Sequence, residues 1–377
     1  MKLVHLADLH LGYRAYHRLS KAGINRRELD VFAAFREALN LIVELQPDLV
    51  LLAGDIFDLP RPSNFALVEA QRLLLDFRSR CGADLVAIAG NHESVRSSGN
   101  RCVLELLQVI PGLQVVVDRP EVVEISSKGL KITCLPHNAL ATDQMVAVAP
   151  QPQAAFNLLM LHGTVDSDRI NDFGGYDVPG KILAMDWDYV ACGHFHSFTH
   201  LGGNAYYAGA IERTSNDIWK EANEPKGLIE FDLNTHKAKF HALKSPRPTL
   251  DLPAIDARDL TIAELNQAIA RQAETGEIKD KIVRQQILNL PKPVKTQLDH
   301  QAIRHYQTMA LHYLLDARPA PGLISATILP GRTLPSHALA DQAADFFSQR
   351  SLPPDLKSAT FISKALSYLQ AHPSHHA

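Results

Sequence analysis

Residues 48–58 have the sequence DLVLLAGDIFD, and this stretch decides the fold. Its first half is an uninterrupted apolar run, which is typical of a strand that is buried on both faces of a sheet. Gly54 allows a tight turn after the run, and the carboxylates of Asp55 and Asp58 follow it. The stretch therefore predicts a buried strand with acidic side chains at its carboxyl end.

The same arrangement occurs four more times in the first 200 residues. Short apolar runs occupy 3–7, 84–90, 157–163 and 188–194, and each ends in small or polar residues. The polar side chains at these ends are Asp8, His10, Asn91, His92, His162, His194 and His196. Any one of them could be an ordinary turn, cap or core residue. Five successive occurrences predict one shared crevice, because ligands of open α/β sheets collect at the carboxyl ends of the strands.

Amphipathic stretches separate the apolar runs. Asn25 and Glu28 predict a capping box at the start of a helix over 27–45, and a second helix is expected after Ser63. Because long helices alternate with buried strands, the chain is expected to belong to the α/β class.

Shorter alternating strands are expected over 114–135 and 205–241. Together with the buried runs they predict a two-sheet β sandwich flanked by helices, and we assign this domain to residues 1–243.

The remainder of the chain has a different pattern. Three prolines within 244–258 predict a linker, and an accessory α+β domain is expected over 259–330. In that domain residues 299–316 are predicted to be helical and 322–329 to form a strand. Two helices are expected within 336–377, and the second carries an apolar stripe at helical spacing. Such a stripe usually packs on its own domain, but a terminal segment of this kind is also a candidate for docking a partner.

The composition excludes several classes of protein. Hydrophobic residues make up 46% of the 377 residues and charged residues 21%, as is usual for a globular protein. No apolar run approaches the length of a membrane helix, so no membrane partner is expected. The four cysteines form no CxxC pair, which argues against a zinc knuckle or a disulfide scaffold. We expect a cytoplasmic protein, and its net charge of −3 gives no basic surface as a whole.

The polar side chains at the strand ends indicate a pair of divalent metal ions. Carboxylate, imidazole and amide oxygen together suit Mn, Fe or Zn, whereas oxygen ligands alone would favour Mg or Ca. Two such ions can share a bridging carboxylate and can hold both oxygens of an in-line phosphoryl displacement. Asp55 is the natural candidate for the bridge.

In sequence order, the motifs DxH, GDxxD, GNH[ED], H and GHxH resemble those of the calcineurin-like metallophosphoesterases over residues 1–200. The stretches DLHLGYRAYHR and GDIFDLPRPSN are similar to those of SbcD, the nuclease subunit of the bacterial SbcC–SbcD DNA-repair complex. This resemblance implies a four-layer α/β/β/α core with a capping domain. It also implies a homodimer that binds DNA and a coiled-coil ABC-type ATPase.

The resemblance also implies roles for individual residues. One metal would be held by Asp8, His10, Asp55 and His196, and the other by Asp55, Asn91, His162 and His194. The cofactor would be two divalent ions, with Mn²⁺ expected. His92 would contact the scissile phosphate and help to protonate the leaving oxygen, for which an imidazole is suited at neutral pH. Asp58 would fix the tautomer of His92 or of another site histidine.

The expected activity is that of a Mn-dependent nuclease, a 3′-to-5′ exonuclease on duplex ends and an endonuclease on single strands. Leu59 and Pro60 stand where protein Ser/Thr phosphatases have a phosphate-binding arginine, which argues against that class. A cyclic-nucleotide phosphodiesterase shares the histidine set, but such enzymes are generally more compact. A third possibility is a chain that works mainly as an assembly subunit of the ATPase complex, with 27–45 and 63–80 as dimerisation helices.

Several residues near the motifs remain open to two interpretations. His5 is expected to be structural, and His137 and His200 are expected to be surface residues. Tyr13 and His17 lie in the loop after the first motif, where they could line a path for DNA.

Overall fold

A computed structural model describes residues 1–94, 101–140, 148–165 and 178–319. Residues 1–318 form one compact unit. It contains two six-stranded sheets and a third sheet of three strands.

The strands are β1 (Lys2–Leu6), β2 (Leu49–Ala53), β3 (Asp84–Ile88), β4 (Leu113–Val116), β5 (Glu121–Ile125), β6 (Leu130–Leu135), β7 (Phe156–His162), β8 (Tyr189–Gly193), β9 (Thr199–Gly202), β10 (Ala205–Tyr207), β11 (Gly227–Asp232), β12 (Lys237–Ala242), β13 (Thr249–Asp256), β14 (Ile282–Leu288) and β15 (His312–Ala317). The α-helices are α1 (Arg26–Leu45), α2 (Asn64–Arg80), α3 (His137–Leu140), α4 (Ile262–Thr275), α5 (Lys292–Lys295) and α6 (His300–Met309).

The two large sheets divide the five predicted strands between them. The first sheet has the order β12-β11-β1-β2-β3-β4, with β1 to β4 parallel. The second has the order β5-β6-β7-β8-β10-β9, with β6, β7, β8 and β10 parallel. The α/β fold with two sheets and flanking helices is thus confirmed.

Side chains alternate between two cores along β1. Val4 and Leu6 face α1 and α2, whereas Leu3 faces the second sheet. His5 also lies on the inter-sheet side, where its Nδ1 is 3.0 Å from the Tyr189 hydroxyl of the second sheet. Burial lowers the pKa of His5 to about 3, so the ring is neutral near pH 7. His5 therefore links the two sheets, as a structural residue should.

The apolar faces of α1 and α2 are used within the domain. Phe32 and Phe35 of α1 and Phe77 of α2 are fully buried against the first sheet. The apolar faces expected to dimerise form the domain's own core, so a dimer contact through these helices would have to use their outer sides. The capping-box prediction is half right: Asn25 caps α1, but Glu28 accepts hydrogen bonds from Arg14 and Ser63 instead.

The accessory part corrects two boundaries. Residues 249–256, expected in the linker, form β13, which pairs in parallel with β14. Pro253 lies near a register shift in this edge strand, where a proline is tolerated. The helix predicted over 299–316 ends at Met309, and β15 follows, paired with β14.

Helix α4 begins with a capping box, in which Thr261 and Glu264 are bonded reciprocally. The strand expected at 322–329 and the helices expected within 336–377 lie outside the described residues.

All four cysteines are buried as free thiols. Within the described ranges, no helix combines the length and the apolar character that crossing a membrane requires.

Candidate metal centre

The loops after β1 and β2 are pinned to one another by backbone hydrogen bonds. The Asp8 amide donates to the Gly54 carbonyl at 3.1 Å, and the His10 amide donates to the Asp55 carbonyl at 2.9 Å. The Asp58 amide donates to the Leu11 carbonyl at 3.1 Å. These contacts fix the DxH and GDxxD motifs side by side at the carboxyl edge of the first sheet.

The backbone at this edge adopts conformations that non-glycine residues rarely take. Asp8, His10 and Asp55 have φ values of 52°, 47° and 48°, and His194 has a φ of 104°. Such geometry costs free energy and persists only where the surrounding structure enforces it, typically at functional sites. Gly54 belongs to the same turn, and a Cβ placed there would lie 2.2 Å from His162 Nδ1.

One group of ligand atoms comes from both sheets. Asp8, His10 and His196 each offer an atom, and these atoms lie within 4.8 Å of one another. The Nε2 atoms of His10 and His196 are 3.1 Å apart. Asp8 is fully buried and also accepts the His194 amide at 3.0 Å, which ties the GHxH loop of the second sheet to the first.

A second group lies beside it. Asp55, His162 and His194 offer atoms within 4.8 Å of one another. His162 Nε2 is 3.2 Å from the Asp55 carboxylate and 3.1 Å from Asn91 Oδ1. The Asn91 oxygen is also 2.9 Å from His194 Nδ1. The Ala53 carbonyl accepts from His162 Nδ1 at 2.7 Å, so the opposite nitrogen faces the group.

His92 lies at the rim of the site, with 36% of its side chain exposed. Its Nδ1 donates to the Asp58 backbone carbonyl at 2.7 Å, and its Nε2 is 3.9 Å from the Asp55 carboxylate. The Asp58 carboxylate contacts a different ring, lying 3.2 Å from His10 Nδ1. Asp58 thus orients two histidines, one through its side chain and one through its backbone.

The buried charges shift one another's titration. Burial raises the pKa of Asp8 to about 6, against the opposing effect of His162. Burial also opposes ionisation of Asp55, but the nearby imidazoles of His162 and His10 hold its pKa well below the usual range. For His162, burial disfavours the charged ring, yet the Asp55 carboxylate outweighs it and raises the pKa to about 10. Burial lowers the pKa of His196 well below its usual value.

The residues present fit two divalent cations. Two imidazole nitrogens as close as those of His10 and His196 cannot both direct lone pairs at each other favourably, and a cation placed between such atoms would satisfy both. Carboxylate, imidazole and amide donors surround the same space, and this donor set suits Mn, Fe or Zn. The hydrogen bonds on the far nitrogens of His10 and His162 are of the kind that orient metal-binding histidines.

Two buried side chains contribute to this site although the sequence motifs predict no role for them. The Glu93 carboxylate accepts from the Phe57 amide at 2.6 Å and the Gly90 amide at 3.0 Å, joining the loops after β2 and β3. Burial raises its pKa to about 7. Its place in the GNHE motif is a signal that could have identified it. Lys226 lies thirty residues from His196 in the sequence and belongs to no motif that could have identified it.

The two candidate DNA contacts differ in exposure. Tyr13 is half-buried, with its ring centroid 5.8 Å from the Arg27 guanidinium carbon. His17 is exposed in the same loop. His137, expected at the surface, is half-buried, with its ring centroid 6.4 Å from that of His162.

A profile described as calcineurin-like phosphoesterase matches residues 1–198, which is more than half of the chain. The chain belongs to the calcineurin-like phosphoesterase family. The resemblance seen in the DxH, GDxxD, GNHE and GHxH motifs is therefore confirmed, and the family assignment makes this protein a metal-dependent phosphoesterase.

Among curated proteins, this phosphoesterase is similar to several that are named DNA double-strand break repair protein Mre11. The protein from Saccharolobus solfataricus is 23% identical over 266 residues, covering 70% of this chain and 64% of the relative. The one from Sulfolobus acidocaldarius is 24% identical over 300 residues, covering 78% and 73%. The one from Methanopyrus kandleri is 29% identical over 259 residues, covering 62% and 54%. The chain thus spans less than two thirds of the first and third of these relatives.

Proposed function

We propose that this phosphoesterase is a DNA nuclease that uses two Mn²⁺ ions and acts in double-strand-break repair. Its expected activities are 3′-to-5′ exonuclease cleavage of duplex ends and endonuclease cleavage of single strands. The observation that carries the proposal is the pair of adjacent ligand groups that adjoin at Asp55, with His92 at their open rim. The similarity to proteins named for double-strand-break repair supports DNA as the substrate.

The proposed ligands divide between the two ions. One ion would be held by Asp8, His10 and His196. The other would be held by Asn91, His162 and His194. Asp55 would contact both ions. When bound, two divalent ions supply positive charge that polarises the phosphodiester and makes water a stronger nucleophile.

Side chains and backbone groups of the chain itself would orient the metal-binding histidines, hold the phosphate and supply the proton. Asp58 and the Ala53 carbonyl contact Nδ1 of His10 and His162, so the Nε2 atom of each ring would be left to hold an ion. The Asp58 carbonyl fixes the hydrogen of His92 on Nδ1, which leaves Nε2 to face the cleft. With a second hydrogen on Nε2, His92 would hold the scissile phosphate and donate that Nε2 proton to the leaving oxygen, ending as the neutral ring with its hydrogen on Nδ1. Tyr13 and His17 would line the path of the DNA.

We also propose the assembly that the SbcD resemblance implies, a homodimer bound to an SbcC-like coiled-coil ATPase. We take Val68 on the outer side of α2, which is 65% exposed, as the candidate dimer contact. Sedimentation of a Val68→Glu variant beside the wild type tests this part, because an intact dimer in the variant would contradict it.

The nuclease is tested by digestion of end-labelled linear duplex, circular single-stranded DNA and a cyclic nucleotide. Each substrate is incubated with Mn²⁺, with Mg²⁺ and with EDTA. We expect Mn-dependent loss of DNA that falls by roughly 10²–10⁴-fold in His92→Ala, the usual range for a lost general acid. His200→Ala is the matched control, because His200 is exposed on β9 and outside both ligand groups.

The other outcomes separate the competing functions. Turnover of the cyclic nucleotide without loss of DNA would identify a small-molecule phosphodiesterase. Inactivity on all three substrates, with and without an ATPase partner, would favour a chain that works chiefly as an assembly subunit. Full activity of His92→Ala would contradict the role given to His92.

A further inference from the structure

His196 is oriented differently from three other histidines of the metal centre. His10, His92 and His162 each use Nδ1 to contact a carboxylate or a backbone carbonyl. The Nδ1 of His196 is buried and has no hydrogen-bond partner within the described residues. No hydrogen bond on Nδ1 from the described residues therefore orients this ring, and the hydrogen bonds that hold His196 in place are those of its backbone.

The backbone of His196 is held by a buried lysine. The Lys226 ammonium donates to the His196 carbonyl at 2.8 Å, and the same carbonyl accepts the Ala210 amide at 3.0 Å. Lys226 is only 2% exposed. A buried ammonium is costly unless it is paired and hydrogen-bonded, so its location requires an explanation.

Lys226 joins the two halves of the site. It immediately precedes β11 in the first sheet, whereas His196 follows β8 in the second sheet. The side chain therefore spans from one sheet to the loop of the other. His10 lies on the first sheet's side, so this link helps to set the 3.1 Å separation between His10 and His196.

The groups that hold Lys226 are themselves held by hydrogen bonds. Its ammonium contacts the Glu221 carboxylate at 2.5 Å, and the Glu221 carbonyl accepts from Arg213 Nε at 3.1 Å. The Lys226 carbonyl accepts the Leu243 amide at 2.8 Å. Both ends of the side chain are thus held, and the lysine has little freedom to follow a displaced loop.

We propose that Lys226 is a positioning residue for the metal centre, which acts by fixing the backbone of His196 and thereby the ion that His10 and His196 would share. This inference rests on the proposed two-ion function. It predicts that loss of the lysine weakens one of the two ions selectively.

The test is a calorimetric titration of Mn²⁺ into the full chain, wild type against Lys226→Met, which removes the donor at similar volume. We expect wild type to bind two ions and the variant to lose affinity for one of them by roughly 10–100-fold, as is usual when a group supporting a ligand is lost. Raising the Mn²⁺ concentration should restore nuclease activity.

Lys128→Met is the matched control. Lys128 also binds one carbonyl, that of Asp48 at 2.6 Å, and one carboxylate, that of Asp84 at 2.7 Å. These contacts lie at the amino ends of β2 and β3, away from the ligand groups. Lys128→Met should bind both ions as wild type does.

If Lys226→Met does not fold, the double variant Lys226→Met/Glu221→Gln removes the carboxylate charge that the single change leaves unpaired. The same selective loss is then expected. Unchanged affinity for both ions in the Lys226 variant, or equal weakening of both, would overturn the inference. A wild-type protein that binds fewer than two ions would instead overturn the proposed function, and the inference with it.

Discussion

The Nε2 atoms of His10 and His196 lie 3.1 Å apart although the two residues are separated by 186 positions and belong to different sheets. His10 already uses its Nδ1 to contact Asp58. Its remaining nitrogen therefore faces another imidazole inside a buried site. A cation bound between the two nitrogens would satisfy both of them. Because the two residues come from different sheets, the geometry of the site depends on how the sheets pack.

Replacing Asp58 should affect metal binding more than the chemical step. Asp58→Ala removes the carboxylate that orients His10, and we expect a loss of Mn²⁺ affinity of roughly 10–100-fold. His92 stays in place because it contacts the backbone carbonyl of residue 58. Activity at saturating Mn²⁺ should thus be largely recovered, which a rate measurement across Mn²⁺ concentrations checks. A low rate that persists at saturation would contradict this division of roles.

Gly90 should tolerate no side chain. A Cβ at this position would lie 2.1 Å from Asp55 Oδ1 and 2.4 Å from the Asp55 amide nitrogen. Gly90→Ala should displace Asp55 and reduce nuclease activity by about 100-fold or more, since a displacement of about 1 Å can cost that much. Gly82→Ala is the control, because its Cβ would meet nothing within 4 Å. Near-normal activity of Gly90→Ala would show that the site is less rigid than its contacts indicate.

Metal binding should release protons at pH 7. The pKa of His162 is about 10 in the metal-free protein, above its usual value of 6.5, so the ring is protonated at neutral pH. A cation requires the neutral ring, and the proton must leave when the ion binds. Affinity for Mn²⁺ should therefore rise with pH up to about pH 10, by up to about tenfold per unit for each proton released.

Calorimetry in two buffers of different ionisation enthalpy, at pH 7 and pH 8, measures this release. The difference between the two binding heats, divided by the difference in buffer ionisation enthalpy, should correspond to about one proton released when an ion binds at His162. Identical heats in both buffers would contradict the prediction.

Arg27 should be important for stability. It is 1% exposed and contacts the Asp30 carboxylate at 2.9 Å and the Glu212 carboxylate at 3.3 Å. Arg27→Met leaves two buried carboxylates with one cation fewer, and we expect the free energy of unfolding to fall by about 3–5 kcal/mol. Arg36→Met, which removes a side chain that is 52% exposed and paired with Glu69, should cost below about 1 kcal/mol. Urea unfolding of both variants checks the difference, and equal losses would refute it.

The strands, and the residues at their ends, follow from local sequence. The runs at 3–7, 48–54 and 188–194 are short and mostly apolar and end in small or polar residues, which is typical of buried strands. The amino-acid sequence alone is accordingly sufficient to predict that the motifs at their ends share one crevice. The capping box of Thr261 and Glu264 is also a local feature, since that contact lies within one helical turn.

Only the tertiary structure decided which side chain orients which. Pairing with β14 makes 249–256 and 312–317 strands, although the first has a proline inside it and the second continues a helical pattern. Asp58 orients His10 through its carboxylate and His92 through its carbonyl, a choice that depends on how the loops after β1, β2 and β3 meet. The contact of Lys226 with His196 depends on the packing of one sheet on the other. Local sequence fixes periodicity and turns, but contacts between sheets depend on long-range packing that no short stretch of sequence encodes.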